Sequence, residues 1–115
     1  MSERGPRHAG AAAGRWAEMT LVEQLANVGS EAERAIRAHE SGRADRFEAA
    51  LVRALELFDL TATDSRWKGT RRREVLRARE EFCRIFFDEH APHRSASGLR
   101  AYFLHFAVAA RRPTV

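Results

Sequence analysis

Apolar residues recur along the chain at the spacing of amphipathic helices. The first run alternates steps of four and three residues: Leu21, Leu25, Val28, Ala32 and Ile36. It opens at Thr20 with the sequence Thr-Leu-Val-Glu, a capping box in which the threonine and glutamate side chains satisfy free backbone amides. The pattern predicts a first helix of about six turns over residues 20–41.

The same spacing predicts three further helices, over 44–63, 70–90 and 96–112. Their apolar faces are rich in aromatic residues: Phe47, Phe58, Phe82, Phe86, Phe103 and Phe106. Pro92 and Pro113 end the last two, because proline lacks an amide donor and disfavours helix in the preceding residue. No segment shows the sustained alternation of apolar and polar residues that is typical of a half-buried strand.

These elements predict an all-α fold, a single-domain antiparallel four-helix bundle over 18–112. The first two helices should be antiparallel because the connection between them, 41–43, is short. Residues 1–17 are small, basic and aperiodic, and the sequence predicts a disordered basic tail there. Residues 113–115 form a short C-terminal tail in this interpretation.

Composition limits the classes of protein that this chain can represent. With 115 residues, 44% hydrophobic and 31% charged, it is typical of one soluble globular domain. Its single cysteine, Cys83, excludes a disulfide framework and a multi-cysteine metal site. No apolar run approaches the ~20 residues of a membrane span, and the N-terminus lacks a signal-peptide core. We therefore expect a cytoplasmic protein with no membrane partner. Because nucleotide, zinc and di-iron motifs are also absent, we expect no metal and no cofactor.

Charge is distributed unevenly. Residues 18–64 hold ten acidic and five basic side chains, a net charge of −5, whereas residues 65–79 hold seven basic and one acidic, a net charge of +6. Such asymmetry is typical of a nucleic-acid surface, and equally of two protein faces that attract each other. The sequence thus predicts an RNA or acidic protein partner at 66–77. The candidate phosphate ligands are Arg66, Lys68, Arg71, Arg72, Arg73 and Arg77.

One arginine falls within an apolar face. On a helical wheel Arg79 lies in the middle of the arc formed by Val75, Phe82 and Phe86. Buried arginine requires a partner, so Arg79 should reach a carboxylate of the second predicted helix. We expect a buried ion pair that fixes helix register. There are two alternatives: Arg79 could form a pocket for an anionic ligand, or its aliphatic stem could cover apolar surface while the charged end stays in water. The candidate partners are Glu48, Glu56 and Asp59.

Some apolar residues point away from the predicted core. Leu57 and Leu60 diverge from the apolar stripe of the second predicted helix, and Leu104 and Val108 diverge from that of the fourth. A helix that is apolar nearly all round favours burial on two sides. The sequence therefore predicts a homodimer through the second and fourth predicted helices. A wide core stripe with isolated surface leucines is the alternative.

Two resemblances add to this picture. Leu21–Arg37 (LVEQLANVGSEAERAIR), with the segments ALELFDL and RARE, resembles a group of short uncharacterised prokaryotic helical proteins, which implies no particular activity. Arg84 and His90 match the Arg-x4–6-His spacing of HEPN domains, although that family usually has a polar residue where this chain has Ile85. Many HEPN domains are metal-independent ribonucleases or toxin-system partners. This resemblance implies that Arg84 and His90 would be catalytic, near a dimer cleft.

Two functions follow as hypotheses. The first is a helical-bundle binding or interaction protein without evident enzymatic machinery. The alternative is a HEPN-like endoribonuclease or toxin–antitoxin partner. They differ in geometry: the nuclease needs Arg84 and His90 convergent and accessible, whereas the binding module predicts a packed His90 and a paired Arg79.

Overall fold

The computed structural model describes residues 9–88 and 93–111. These residues form helices and connecting turns with no strand, which confirms the all-α fold. The helices are α1 (Ala9–Glu18), α2 (Leu21–Glu40), α3 (Ala44–Ala62), α4 (Thr70–Phe87) and α5 (His93–Arg111). Within these ranges, no helix has both the length and the apolar character that a bilayer crossing requires.

Local sequence signals account for the limits of α2. The Thr20 hydroxyl accepts a hydrogen bond from the Glu23 amide at 3.1 Å, and the Glu23 carboxylate accepts one from the Thr20 amide at 2.8 Å, forming the predicted capping box. Gly42 adopts a φ of 70° in the turn after the helix. That left-handed conformation is easy for glycine, and it lets the chain reverse into α3 within three residues.

The four longer helices form a ring in which each packs antiparallel to its neighbours. The rings of His39, at the end of α2, and Phe47, at the start of α3, lie 5.1 Å apart. Phe47 also lies 4.8 Å from Phe86, at the end of α4. Arg100, early in α5, donates to Glu33, late in α2, at 2.8 Å. The structure is therefore a four-helix bundle with α1 added to it.

Aromatic residues fill the centre of the bundle. Phe58 and Phe82 are fully buried with ring centroids 5.6 Å apart, and Phe103 lies 6.0 Å from Phe58. Each such side chain contributes about 1.5–3 kcal/mol through burial. The contact between Phe58 and Phe103 crosses the core, so α3 and α5 occupy diagonal corners of the ring.

Helix α1 corrects the prediction of a disordered N-terminal tail. Residues 9–17 were predicted to be a disordered tail, yet they form most of a helix that ends at Glu18. Trp16 is only 6% exposed, and its indole nitrogen donates to the Thr61 hydroxyl at 3.0 Å. Alanine has the highest helix propensity, and burial of one tryptophan anchors the segment without any periodic apolar pattern. Residues 1–8 lie outside the described residues.

Some apolar residues of α3 and α5 were expected to point away from the core, and the outcome differs between the two helices. Leu57 is 8% exposed and belongs to the core, so its predicted orientation is wrong, and Leu60 is half-buried. The physical reason is α1, which packs on α3 beside Thr61, one turn beyond Leu57. On α5 the expectation holds, because Leu104 is 62% exposed and Val108 is 47% exposed.

Two helix ends differ from the predicted limits. The third predicted helix was extended to residue 90, whereas α4 ends at Phe87 and Asp88 is already extended. The fourth was expected to begin at 96, whereas α5 begins at His93, directly after Pro92. Residues 89–92 and 112–115 lie outside the described residues.

Candidate functional site

The predicted basic segment forms an exposed surface at the start of α4. We call Lys68, Arg71, Arg72, Arg73 and Arg77 the basic face; all five are exposed. None forms an ion pair with another residue in the described part of the chain. The first turn of α4 carries no acidic residue, and its N-cap, Gly69, supplies no side-chain cap. Positive charge is thus concentrated where the helix dipole is also positive.

Arg66, predicted to belong to this surface, has a different position. Its guanidinium donates to the Asp64 carboxylate at 2.7 Å and to the Met19 carbonyl at 2.8 Å, and it lies 4.5 Å from the Trp67 ring centroid. These contacts join the turn after α3 to the end of α1. Arg66 therefore lies at the surface with its guanidinium already paired to Asp64 and to backbone carbonyls, unlike the five residues of the basic face.

Arg66 belongs to a polar network that sequence reasoning missed. At its centre, Gln24 is fully buried on α2. Its amide nitrogen donates to the Trp16 carbonyl at 2.8 Å and to Asp64 at 3.0 Å, while its oxygen accepts from the Trp67 indole at 2.8 Å. We call this network the polar clasp: Trp16, Gln24, Thr61, Asp64, Arg66 and Trp67. It fastens α1 and the α3–α4 turn to the bundle.

Asp64 makes the clasp sensitive to acid. Its side chain is 9% exposed, and the hydrogen bond from Arg66 holds the pKa of this carboxyl well below its ordinary value of 3.8. Gln24 and the Arg66 amide add further hydrogen bonds to the charged form. A carboxyl whose pKa is lowered by folding stabilises the protein above its ordinary pKa, and this contribution is lost as the pH falls below that value.

We therefore expect Asp64→Asn to flatten the pH dependence of stability. The free energy of unfolding of the wild type should exceed that of the variant above about pH 5, and the difference should shrink as the pH falls below about 4. Urea unfolding across this range measures it. Two profiles that stay parallel down to about pH 2 would contradict the assignment.

Arg79 forms an ion pair with Asp59, one of its predicted partners, but the pair is not buried. Its guanidinium Nε donates to Asp59 Oδ1 at 3.1 Å, with the side chains 36% and 61% exposed. Glu48 is exposed and Glu56 is half-buried, and neither forms an ion pair within the described ranges. The buried pair predicted for Arg79 is therefore corrected to a surface pair. The reason is that Arg79 lies at the outer edge between α3 and α4.

We expect Arg79→Ala to lower the free energy of unfolding by less than about 1 kcal/mol, because solvent screens exposed ion pairs. Asp59→Ala, which removes the other partner, should have an effect of similar size. Urea unfolding of both variants tests this. A loss of about 3 kcal/mol or more, as expected for a stranded buried charge, would contradict the surface assignment.

The residues implied by the HEPN resemblance are only partly described. Arg84 is exposed on the last turn of α4, and Ile85 after it is half-buried. His90 lies outside the described residues. The structure therefore gives the position of one member of this pair and no distance between the two. Among the described residues, no group of three or more histidine, cysteine or carboxylate side chains could hold a metal ion.

An open groove between α2 and α3, with a volume of about 740 Å³, gathers arginines that the sequence analysis did not connect. Its small lining residues, which we call the floor, are Ala38, Ala49 and Ala50. Ser41 lines the turn at one end. We call this surface the arginine groove, after the five arginines that line it: Arg34, Arg37, Arg43, Arg46 and Arg53.

The arginines of the groove are only partly neutralised. Arg34 donates to Glu31 at 2.9 Å, and Arg37 donates to Glu33 at 2.8 Å. The other three, Arg43, Arg46 and Arg53, form no ion pair within the described ranges. Glu31, the partner of Arg34, also lines the groove and is its one acidic side chain. Three guanidinium groups thus share this surface without ion-pair partners in the described ranges.

A smaller cavity of about 200 Å³ lies between α4 and α5. Glu74, Glu81 and Tyr102 contribute its polar side chains. The Tyr102 hydroxyl is buried without a hydrogen-bond partner among the described residues. Burial, with the nearby charge of Glu74, raises the pKa of Tyr102 to about 12, so the phenol remains protonated at neutral pH. Two carboxylates and one phenol leave this cavity without positive charge.

No protein-family model, curated protein or solved structure matches this chain. In the part of the chain that the structure describes, the arginine groove and the basic face are the surfaces where unpaired positive charge is concentrated.

Proposed function

We propose that the protein is a cytoplasmic, non-enzymatic binding module that holds a polyanionic partner in the arginine groove. The observation that carries this proposal is the presence of Arg43, Arg46 and Arg53 in one groove without ion-pair partners in the described ranges. Guanidinium groups bind carboxylates and phosphates with two parallel hydrogen bonds. Several of them in one concavity attract anions more strongly than the same charges spread over a convex surface.

The spacing of the charges favours the groove over the basic face as the binding site. Arg34 and Arg37 are three residues apart on α2, and Arg46 and Arg53 are seven apart on α3, so each pair shares one helix face. In the basic face, Arg73 and Arg77 also share a helix face. Arg71, Arg72 and Arg73, however, are consecutive, so their side chains diverge by about 100° at each step. The basic face therefore supplies long-range attraction for the partner, while the groove supplies aligned contacts.

Matched charge reversals test the site. Fluorescence anisotropy with a labelled inorganic polyphosphate would compare the wild type with a groove variant (Arg43→Glu, Arg46→Glu and Arg53→Glu). The control reverses three arginines of the basic face instead: Arg71→Glu, Arg72→Glu and Arg73→Glu. Both variants change the net charge equally. The carboxylates at 43 and 46 lie at the start of α3 and those at 71–73 at the start of α4, where the helix dipole tolerates them, whereas position 53 is in the middle of α3.

We expect the groove variant to lose affinity by at least about tenfold and the control by less than about threefold. Equal losses in the two variants would show that net charge, not the groove, attracts the anion, and would contradict the proposal. A wild-type protein that does not bind polyphosphate at low salt would also contradict it.

We also propose that the protein forms a homodimer, with α5 as the contributing helix. Leu104 and Val108, one turn apart on α5, are both exposed. On α3, Leu57 lies in the core and Leu60 packs against it. Sedimentation velocity should show a dimer that Leu104→Glu dissociates. A wild-type monomer at high concentration would contradict this part of the proposal.

A further inference from the structure

We infer that the arginine groove receives an acidic α-helix of a partner protein. This inference rests on the proposed function and names the class of polyanion. It follows from three properties of the groove: the small side chains of its floor, the arrangement of its charges, and the chemical types that its lining lacks.

The floor allows a helix to approach closely. Ala38 is 8% exposed, and Ala49, which is exposed, and Ala50, which is half-buried, line the groove from α3. Helices pack with axes about 8–10 Å apart when small or interlocking side chains separate them. A cleft between two antiparallel helices, bounded by long side chains and floored by alanine, has the shape that accepts a third helix.

The charges match a helical repeat of carboxylates. Arg46 and Arg53 are seven residues apart, which is two turns or about 10 Å along α3. A partner helix with glutamates at positions i, i+4 and i+7 presents carboxylates over the same length on one face. Arg43, at the turn, lies beyond Arg46 and extends the contact toward one end of the partner helix.

The lining lacks aromatic and amide side chains, two of the types that bind nucleic-acid bases. Proteins that bind single-stranded RNA or DNA stack the bases on aromatic rings. They read base edges with amide and other polar side chains. The ten residues of the lining include no aromatic and no amide side chain, and its one hydroxyl is that of Ser41. The groove therefore offers an RNA contacts to its phosphates and guanidinium contacts to its bases, but no aromatic stacking surface. An acidic helix gains ion pairs with the same arginines and packs on the alanines.

Three labelled probes of equal net charge test this inference on the full-length protein. The first is a capped peptide of glutamate and alanine with glutamates at i, i+4 and i+7. The second is the same peptide with one central alanine replaced by proline, which breaks the helix and leaves the net charge unchanged. The third is a single-stranded RNA. The groove variant and the basic-face variant defined above serve as the protein controls.

We expect the helical peptide to bind the wild type at least about tenfold more tightly than the proline peptide or the RNA. The groove variant should lose this preference and the basic-face variant should keep it. Equal affinity for the two peptides, or tighter binding of the RNA, would overturn the inference that the partner is an acidic helix. Binding of polyphosphate would in that case still support the groove as an anion site. Failure of polyphosphate to bind would overturn the proposed function itself.

Discussion

Gln24→Ala is expected to lower the free energy of unfolding by about 3 kcal/mol, the largest effect we predict for a single substitution. The substitution removes two donated hydrogen bonds and the acceptor of the Trp67 indole, all at a fully buried position. Buried polar groups that lose their partners cost about 1–3 kcal/mol each, and the cavity left by the missing side chain adds to the loss.

Urea unfolding of Gln24→Ala beside Asn27→Ala tests this prediction. Asn27 lies on the same helix and its amide also donates a hydrogen bond, to the Glu23 carbonyl, but the residue is exposed. The control variant should therefore change stability by less than about 1 kcal/mol. Equal effects at the two positions would mean that the polar clasp does not stabilise the fold.

Gly29→Ala is expected to destabilise the protein by about 2 kcal/mol, although alanine is the better helix former. A Cβ at position 29 would lie 2.7 Å from the Cβ of Phe103, closer than real Cβ contacts. The Phe103 Cβ is fixed to the backbone of α5, so the two helices must separate. Overpacking of this kind costs about 1–3 kcal/mol or more, which outweighs the gain of about 1 kcal/mol in helix propensity.

Gly98→Ala provides the matched control, because a Cβ there would meet nothing within 4 Å. This substitution on α5 should stabilise the protein by about 0.5–1 kcal/mol. Thermal unfolding of both variants gives the comparison. Stabilisation at both positions would contradict the close approach of α2 and α5 at Gly29.

The periodic apolar positions were sufficient to predict the bundle helices. In α2, Leu25, Val28 and Ala32 are all buried at the predicted spacing, and the capping box fixes where the helix begins. Helix α1 could not be predicted in this way. Among residues 14–18, the part of α1 whose side chains are described, Trp16 is the one buried residue, and its partner Thr61 is distant in sequence. A single contact of this kind produces no period.

The two polar positions show why a helical wheel is a coarse guide. Arg79 lies within the apolar arc of the wheel, yet the α3–α4 boundary leaves it at the surface beside Asp59. Gln24 lies three residues after Leu21 and four before Val28, which is a core position by the same spacing. That signal was present in the sequence. What the sequence could not supply was the set of partners, which come from α1 and the α3–α4 turn.

The net charge of residues 18–64 gave no indication of the arginine groove. Residues 18–64 sum to −5, but all five basic residues of that segment line the groove. The spacing of three between Arg34 and Arg37, and between Arg43 and Arg46, indicates a shared face on each side of the turn. Only the antiparallel packing of α2 on α3 brings the two sets together, and a sum over sequence cannot represent that packing.

Binding of an anion in the arginine groove is the central claim, and a heteronuclear NMR titration of the wild type with inorganic polyphosphate tests it most directly. The resonances to follow are the backbone amides and the arginine Nε–Hε groups. We predict that Arg43, Arg46 and Arg53 shift first, together with the amides that line the groove. Shifts confined to residues 68–77 would place the anion on the basic face and contradict the claim.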